Sequence, residues 1–366
     1  MGYTILLTGA TGAIGQELVR VLAKRSSVDV VYALSRQADV EESQTGVIPL
    51  RGDVRLVTLG LSPREYGEVR QRTTLIIHAA ADTRFSAPLP ELRAINVEGT
   101  KNVLAFAGVC PQLRGLVALS TVHVAGKRTG TIEESSLGHD AGFVNNYEQS
   151  KYEAELILRE RMKDLPIAVI RLSTVLSDSK TGEISKLAAI HQGLRLYYHS
   201  LAPMIPGTPD CPVDLIASDY AASGIAGLAC DGFRGGKTFH LCGGNDFLTL
   251  AQLLAQTHDA FMTYRPSWRK RSIAMPAIVD LPTFVLFAQS VDDVGDYLLR
   301  HSVQVIRHFA PQLAYPKVFD DAGCTQALAA FNIEKPRVAD FYPKSIRWLV
   351  ESGWADRTIT AEAVVR

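Results

Sequence analysis

The chain of 366 residues has no surplus of either charge: 38 lysines and arginines stand against 38 aspartates and glutamates. A surface that holds the backbone of a nucleic acid carries a clustered basic excess, so no nucleic-acid partner is expected. Cysteine is scarce. Cys110, Cys211, Cys230, Cys242 and Cys324 stand far apart, with no Cys-x-x-Cys spacing. That pattern predicts reduced thiols in a cytosolic protein and argues against a disulfide framework or zinc site. The nine histidines form no ligand cluster; His123, His191 and His240 read as core or rim residues, and no metal is expected. A long uninterrupted apolar run is also missing. The most apolar late stretch, IAMPAIVDLPTFVLFAQ (273–289), holds Asp280 and two prolines, too interrupted for a membrane span. The opening GYTILLTG has no basic region or small-residue cleavage site, so no signal peptide is expected.

What is present is the composition of a soluble globular protein, 47% hydrophobic and 21% charged. The length suggests two domains, or one with a sizeable extension. The first half alternates short apolar runs with helical patterns. Strands are predicted at 3–8, 28–34, 47–52, 74–80, 116–121 and 167–172. They are rich in Val, Ile and Leu on both faces, as parallel strands covered on both sides require. Helices are predicted between them at about 13–25, 91–109 and 146–163. This alternation predicts an α/β fold, a Rossmann-type doubly wound parallel sheet. After about residue 175 the rhythm changes. A proline-rich loop (201–212) precedes a strand at 213–217, a helix at 218–229, a strand at 237–243 and a helix from Thr249. The expected division is a nucleotide-binding core over 1–175 and a smaller, mainly helical substrate region over 176–366, with 213–245 returning to the core.

The stretch TGATGAIG (8–15) follows the first strand and opens the first helix. Gly9, Gly12 and Gly15 are spaced three apart. Glycine allows a tight turn and close approach of a phosphate, and the helix start offers free N–H groups and a favourable dipole. An NAD site usually places Asp or Glu at the end of the second strand to hold the ribose 2′-hydroxyl. Here stand Ser35 and Arg36. An arginine fork suits a 2′-phosphate, so NADPH is expected over NAD. Asp53, after the third strand, is placed either at the adenine edge or as a cap on the next turn.

The stretch NNYEQSKYEAE (145–155) sets Tyr147 four residues before Lys151. Residues four apart share a helix face, and a nearby ammonium lowers a phenol's pKa. With twelve tyrosines and twelve lysines, however, about 0.4 such pairs arise by chance in this chain, so the spacing alone identifies nothing. The ordered set does more. TGATGAIG, GDV (52–54), HAAA (78–81), NVEGTKNVL (96–104), LSTV (119–122) and YEQSK (147–151) resemble the extended short-chain dehydrogenase/reductases over about residues 3–245. The resemblance implies Thr121, Tyr147, Lys151 and Asn96 as the catalytic group, with Ser120 the neighbouring alternative to Thr121. Tyr147 would donate a proton to a carbonyl being reduced, Lys151 would lower the phenol's pKa and hold the nicotinamide ribose, and Asn96 would support a water relay. It further implies a cofactor lined by Gly9, Thr11, Gly12, Ala13, Ile14, Gly15, Ser35, Arg36, Asp53, Val54, Ala79, Ala80, Ala81, Tyr147 and Lys151. Tyr152 points about 100° further round the helix and reads as a packing residue.

Within that family, YEQSKYEAE, VIRLSTV (169–175), VDLIASDYAASGIAGL (213–228) and TFHLCGG (238–244) look most like the thioester reductases and fatty acyl-CoA reductases. The implied reaction is NADPH-dependent reduction of an acyl group carried on coenzyme A or an acyl carrier protein, to aldehyde or alcohol. Leu172 departs from the family, where many relatives have proline. A sugar-nucleotide epimerase or dehydratase is weakened by Ala125, which stands where those enzymes often have tyrosine. A ketone or hydroxyl oxidoreductase acting on a free small molecule stays open, as does a cofactor-binding structural or sensor protein. Segment 273–289 reads first as a cap helix pair, with an acyl tunnel or membrane-surface contact as further options. YRPSWRKRS (264–272) reads first as a solvated basic loop around Trp268. Its Arg265, Arg269, Lys270 and Arg271 could instead receive coenzyme A phosphates or an acidic carrier.

Overall fold

The structure is a computed structural model and describes residues 2–36, 46–269, 273–294 and 297–354. Fifteen strands are described. Seven form one sheet: β1 (Tyr3–Thr8), β2 (Val28–Ser35), β3 (Val47–Arg51), β4 (Leu75–His78), β5 (Gly115–Thr121), β7 (Ile167–Leu172) and β12 (Thr238–Leu241). The rest pair off in short ladders: β6 (Gly130–Ile132) with β15 (Lys317–Phe319), β8 (Thr174–Val175) with β11 (Leu215–Ile216), β9 (Met204–Pro206) with β14 (Ala277–Val279), and β10 (Pro212–Val213) with β13 (Leu248–Thr249). The sheet order is β12-β7-β5-β4-β1-β2-β3, with parallel pairing throughout. This is the doubly wound fold that the alternating pattern predicts.

Alternate residues of the sheet enter two different cores. Ile5 and Leu7 pack with Leu18 of α1 (Ala13–Leu22) and with Ala221 of the helix Ser218–Ala226. Leu6 and Ile76 pack on the other face with Val69 of α2 (Pro63–Arg72), Phe106 of α4 (Glu98–Gly108) and Leu158 of α5 (Asn146–Arg161). Both faces are dry, which is why these strands read as continuous apolar runs. The strand order reverses between β1 and β4, and a crevice opens beyond their carboxyl ends, where such sheets bind ligands.

Three expectations need adjustment. The helix predicted over 91–109 is two helices, α3 (Leu89–Asn96) and α4, separated at Val97. Asn96 is buried there, its side chain turned inward and its carbonyl accepting the Thr100 hydroxyl. The strand predicted at 213–217 is divided between β10 and β11. Asp214 stands between them and accepts the N–H groups of Gly243 and Gly244 at 2.8 and 3.2 Å, so the chain bends instead of running straight. Segment 273–289 supplies β14 and most of the helix Leu281–Val294. Phe284 and Ala288 of that helix are buried while Val285 and Leu286 are exposed. Among the described residues, no helix is long and apolar enough to cross a membrane.

The basic loop is also different from its sequence reading. Trp268 is a core residue. Its indole donates to the Tyr198 carbonyl at 3.0 Å, and its ring meets Phe261 with centroids 5.0 Å apart. Arg265 lies over the Tyr198 ring. Lys270 and Arg271 lie outside the described residues.

Candidate active site

Gly9 ends β1 with φ +74°, a backbone that favours glycine, and a Cβ there would come within 2.6 Å of the Ala80 nitrogen. Gly15 sits in the first turn of α1, and a Cβ on it would reach 2.1 Å from the Gly9 carbonyl. Gly12 is the N-cap of α1 and makes no side-chain cap. The first N–H groups of the helix therefore face the crevice with no capping side chain, beside Thr11, Ala13 and Ile14. This cradle, which any larger residue at 9 or 15 would fill, fits a dinucleotide pyrophosphate. Ala79 and Ala80 close its far side. Their N–H groups bond the Thr8 carbonyl and hydroxyl, both at 3.2 Å, and Ala81 beyond them is exposed. His78 is a core residue, with Thr8 and Thr100 hydroxyls at 2.8 and 3.2 Å.

Ser35 is buried at the end of β2, and Arg36 is exposed just after it. The carboxyls of Asp53 and Asp82 are held low, chiefly by hydrogen bonds from Arg55 and Arg84, with Arg36 adding its charge to both. Asp53 accepts the Arg55 backbone N–H at 2.9 Å, which closes the turn that follows it. Val54 is buried against Gly99.

Helix α5 carries the Tyr-Lys pair. Asn145 caps it by accepting the Glu148 N–H at 3.0 Å. Tyr147, Lys151, Glu155 and Leu158 share one buried face at three- and four-residue spacing. The Tyr147 hydroxyl hydrogen-bonds Thr121 at the end of β5, and its ring packs on Phe85 with centroids 5.3 Å apart. Lys151 donates to the Leu119 carbonyl at 2.8 Å. Ser120, one residue before Thr121, points to the opposite side of the strand and donates to Glu155 at 2.8 Å. Glu155 is ion-paired there to the fully buried Arg171. Of the two hydroxyls, it is Thr121 that reaches Tyr147. Tyr152 packs against His139 and Phe143, with centroids 5.0 and 5.1 Å away.

The Asn96 amide donates to the Asp82 carbonyl and the Ser150 hydroxyl, both at 2.9 Å, and its oxygen accepts the Asp82 N–H at 2.8 Å. In the chain alone it ties the loop after β4 to α5. The electrostatics also differ from expectation. Burial pushes the Tyr147 phenol up to about 12, the Thr121 hydrogen bond opposes this and Glu148 adds to it. Burial pushes Lys151 down to about 8 against the pull of Glu155. Desolvation therefore sets the direction of the phenol's shift, opposite to the expected lowering. At neutral pH the phenol is protonated, which is the state a proton donor needs.

Several residues at this site carried no sequence signal. The carboxylate of Glu148 is buried beside Tyr147, accepts the Val144 N–H at 2.9 Å and is bonded by Gln312. Lys317 of β15 donates to the Gly126 carbonyl at 2.6 Å. Both Gln312 and Lys317 arrive because β15 runs beside β6, which follows β5 in the chain. A cavity of about 380 Å³ connects these parts. It begins at Ala13 and Ile14, passes Thr121, Tyr147, His123 and Lys317, and continues between walls of Leu176, Ile184, Leu194, Leu253, Leu254 and Leu313. Those walls come from the 173–177 segment, residues 184–186, the helix Ala189–Tyr198, the helix Leu250–Tyr264 and the turn at 310–314; residues 273–289 do not contribute. Among the described residues, no group of three His, Cys, Asp or Glu side chains could hold a metal ion.

Residues 40–225 match the family model described as male sterility protein, an NAD-binding family. Hybrid PKS-NRPS synthetase pydA of an Acremonium species is 32% identical over 240 residues, 61% of this chain and 5% of that protein. A linear gramicidin synthase of Brevibacillus parabrevis is 27% identical over 267 residues, 66% of this chain and again 5% of the relative. The chain thus spans about a twentieth of the length of these curated relatives. Among solved structures, the terminal R domain from the myxalamid PKS-NRPS biosynthetic pathway superposes with a TM-score of 0.79 at 25% identity, covering 96% of this chain and 92% of that one.

Proposed function

This chain belongs to the NAD-binding family described as male sterility protein, among the extended short-chain dehydrogenase/reductases, and is an NAD(P)H-dependent oxidoreductase; from that premise we propose that it reduces an acyl thioester to an aldehyde with NADPH. The observation that carries this reading is the single cavity that joins the nucleotide turn, the Thr121–Tyr147 pair and an apolar sleeve. Each CH₂ of an acyl chain buried in such a sleeve contributes about 0.8 kcal/mol. The lining is mainly apolar, with Ser173, Ser177, Ser185 and Asp214 among its polar members, which suits an acyl chain better than the many hydroxyls of a sugar nucleotide. The likeness to segments of peptide synthetases favours a substrate on the pantetheine arm of a carrier protein over free acyl-coenzyme A. Arg36, with no acidic residue at the end of β2, favours NADPH.

A bound nicotinamide would supply hydride to the carbonyl carbon. The protein's part is to hold and discharge the oxygen. The Thr121 hydroxyl and the Tyr147 phenol, which both line the cavity, would meet the carbonyl oxygen, and the phenol would give its proton as negative charge develops there. Lys151, bonded to the Leu119 carbonyl, keeps a positive charge behind the phenol and would hold the nicotinamide ribose. Asn96 fixes the loop after β4 against α5, so the cofactor wall and the proton donor keep one geometry. The resulting hemithioacetal loses its thiol to leave an aldehyde. NADPH oxidation measured against acyl thioesters, free ketones and sugar nucleotides, with products identified, tests the reading. Activity that rises with acyl length until the sleeve is full supports it. Turnover confined to ketones or sugar nucleotides would refute it.

A further inference from the structure

We propose that Lys317 meets the departing sulfur of the thioester and supplies its proton when the reduced intermediate collapses. The assignment rests on the thioester reading above and extends it to the leaving group. A carbonyl held at this site has three directions to satisfy. Its oxygen is claimed by Thr121 and Tyr147. Its acyl chain is claimed by the apolar sleeve of Leu194, Leu253 and Leu254. The sulfur arm is left facing the part of the polar lining that adjoins Thr121 and Glu148, with His123, Cys211, Gln312 and Lys317; the other ammonium in the lining, Lys186, is exposed and adjoins Ile184 of the sleeve.

Of these four, three cannot give a proton readily. Burial and the neighbouring Lys317 push the His123 imidazole down to about 4, so it is neutral. Burial pushes the Cys211 thiol up to about 11. The Gln312 amide is bonded to Glu148. Lys317 is different. It is half-buried, and one of its three N–H groups goes to the Gly126 carbonyl at 2.6 Å, leaving donors for a ligand. Its place is fixed by the parallel pairing of β15 with β6, where Lys317 lies opposite Gly130. Burial lowers its ammonium to about 8 while Glu148 holds it up. That value lies close to the ordinary thiol range of about 8.5, where proton transfer to a departing thiolate is nearly balanced.

The step conserves atoms and electrons. After hydride and proton addition, the substrate is a hemithioacetal and Tyr147 is a phenolate. The hydroxyl proton returns to Tyr147, the C=O double bond forms and the C–S bond breaks with its electron pair on sulfur. The Lys317 ammonium gives that sulfur a proton and is reprotonated from water. The sum is thioester, NADPH and one proton going to aldehyde, thiol and NADP⁺.

The test compares wild type with Lys317→Met on two thioesters of one acyl group, one with an alkyl leaving thiol (N-acetylcysteamine) and one with an aryl thiol. Thiol release and NADPH oxidation are followed together. An aryl thiolate leaves without help, so the variant should lose about 100-fold on the alkyl thioester and less than about 3-fold on the aryl one. Lys317→Arg keeps the charge and a donor for Gly126 but holds its proton, and should show the same selective loss if the methionine variant does not fold. Equal losses on both substrates with intact NADPH binding, or no loss on either, would overturn the assignment. Wild-type enzyme that releases no thiol from either compound, yet oxidises NADPH with a ketone, would overturn the thioester reading itself.

Discussion

Gly12 and Gly15 lie in the same turn but should fail in different ways when changed to alanine. A Cβ on Gly15 would stand 2.1 Å from the Gly9 carbonyl oxygen and 2.9 Å from two Ala10 atoms. Ordinary contact needs more than an ångström of extra room, and the obstacle is backbone held by β1. Gly9 cannot retreat freely, because it is at φ +74° with Ala79 and Ala80 close behind it. Overpacking of this kind costs about 1–3 kcal/mol, so Gly15→Ala should lower Tm by several degrees. At Gly12 the added Cβ would meet the Gly9 oxygen at 3.2 Å, which a shift of a few tenths of an ångström relieves. The backbone there is extended and ordinary, φ −70° and ψ 165°. Gly12→Ala should therefore cost only the difference between glycine and alanine as an N-cap, about 1 kcal/mol or less. Its methyl group would instead stand where a pyrophosphate approaches the helix start, and NADPH affinity should fall about 10-fold, or about 1.4 kcal/mol. Thermal melts and NADPH fluorescence titrations separate the two effects. Wild-type NADPH affinity in Gly12→Ala would mean that the phosphates do not lie on this turn. A wild-type Tm for Gly15→Ala would refute the packing argument.

Tyr147→Phe keeps the ring on Phe85 but removes the proton donor, so kcat should fall about 10²- to 10⁴-fold with NADPH affinity nearly unchanged; near-normal single-turnover rates would contradict its role. Arg36→Ala should weaken NADPH binding and spare NADH, and matching losses for both cofactors in titrations would exclude Arg36 from the 2′-phosphate. Burial and the Lys151 charge push His78 down to about 3. The unfolded chain therefore binds a proton that the folded one refuses between the ordinary imidazole value of about 6.5 and the folded value. The stability this histidine contributes is complete above that ordinary value and is lost as pH falls, at up to about 1.4 kcal/mol per unit. His78→Asn should make the decline between pH 6.5 and 4.5 shallower in urea unfolding, and an unchanged slope would contradict the assignment.

The sheet was readable because its inner strands are buried on both faces, and β1, β5 and β7 lie within one residue of their expected limits. The glycine turn and the shared helix face of Tyr147 and Lys151 were readable for a related reason: their geometry is local, set by a three- or four-residue spacing, while the role expected of the pair came from the ordered set of motifs. What escaped depends on contacts between distant parts of the chain. Lys317 sits in an ordinary stretch, AYPKVFD, and enters the site only through the pairing of β15 with β6. Glu148 carried no signal of its own in the sequence, and its burial comes from Gln312 and the 144–145 segment closing over it. The direction of the Tyr147 shift was missed because spacing reports a nearby charge but not the depth of the pocket around it. Trp268 was read from its basic neighbours in sequence, whereas its spatial neighbours are Tyr197, Tyr198 and Phe261.

The most direct test of the central claim follows deuterium from NADPH deuterated at the reactive C4 position into product, with free thiol counted in the same reaction. A medium-chain acyl thioester of pantetheine is the substrate, and the Tyr147→Phe variant is run beside wild type. The account predicts aldehyde carrying deuterium on its carbonyl carbon, one thiol released for each NADPH oxidised in forming it, and neither product from the variant at a comparable rate. Thiol released without deuterium in the product would identify hydrolysis instead of reduction, and deuterium transferred to a ketone with every thioester left intact would contradict the claim.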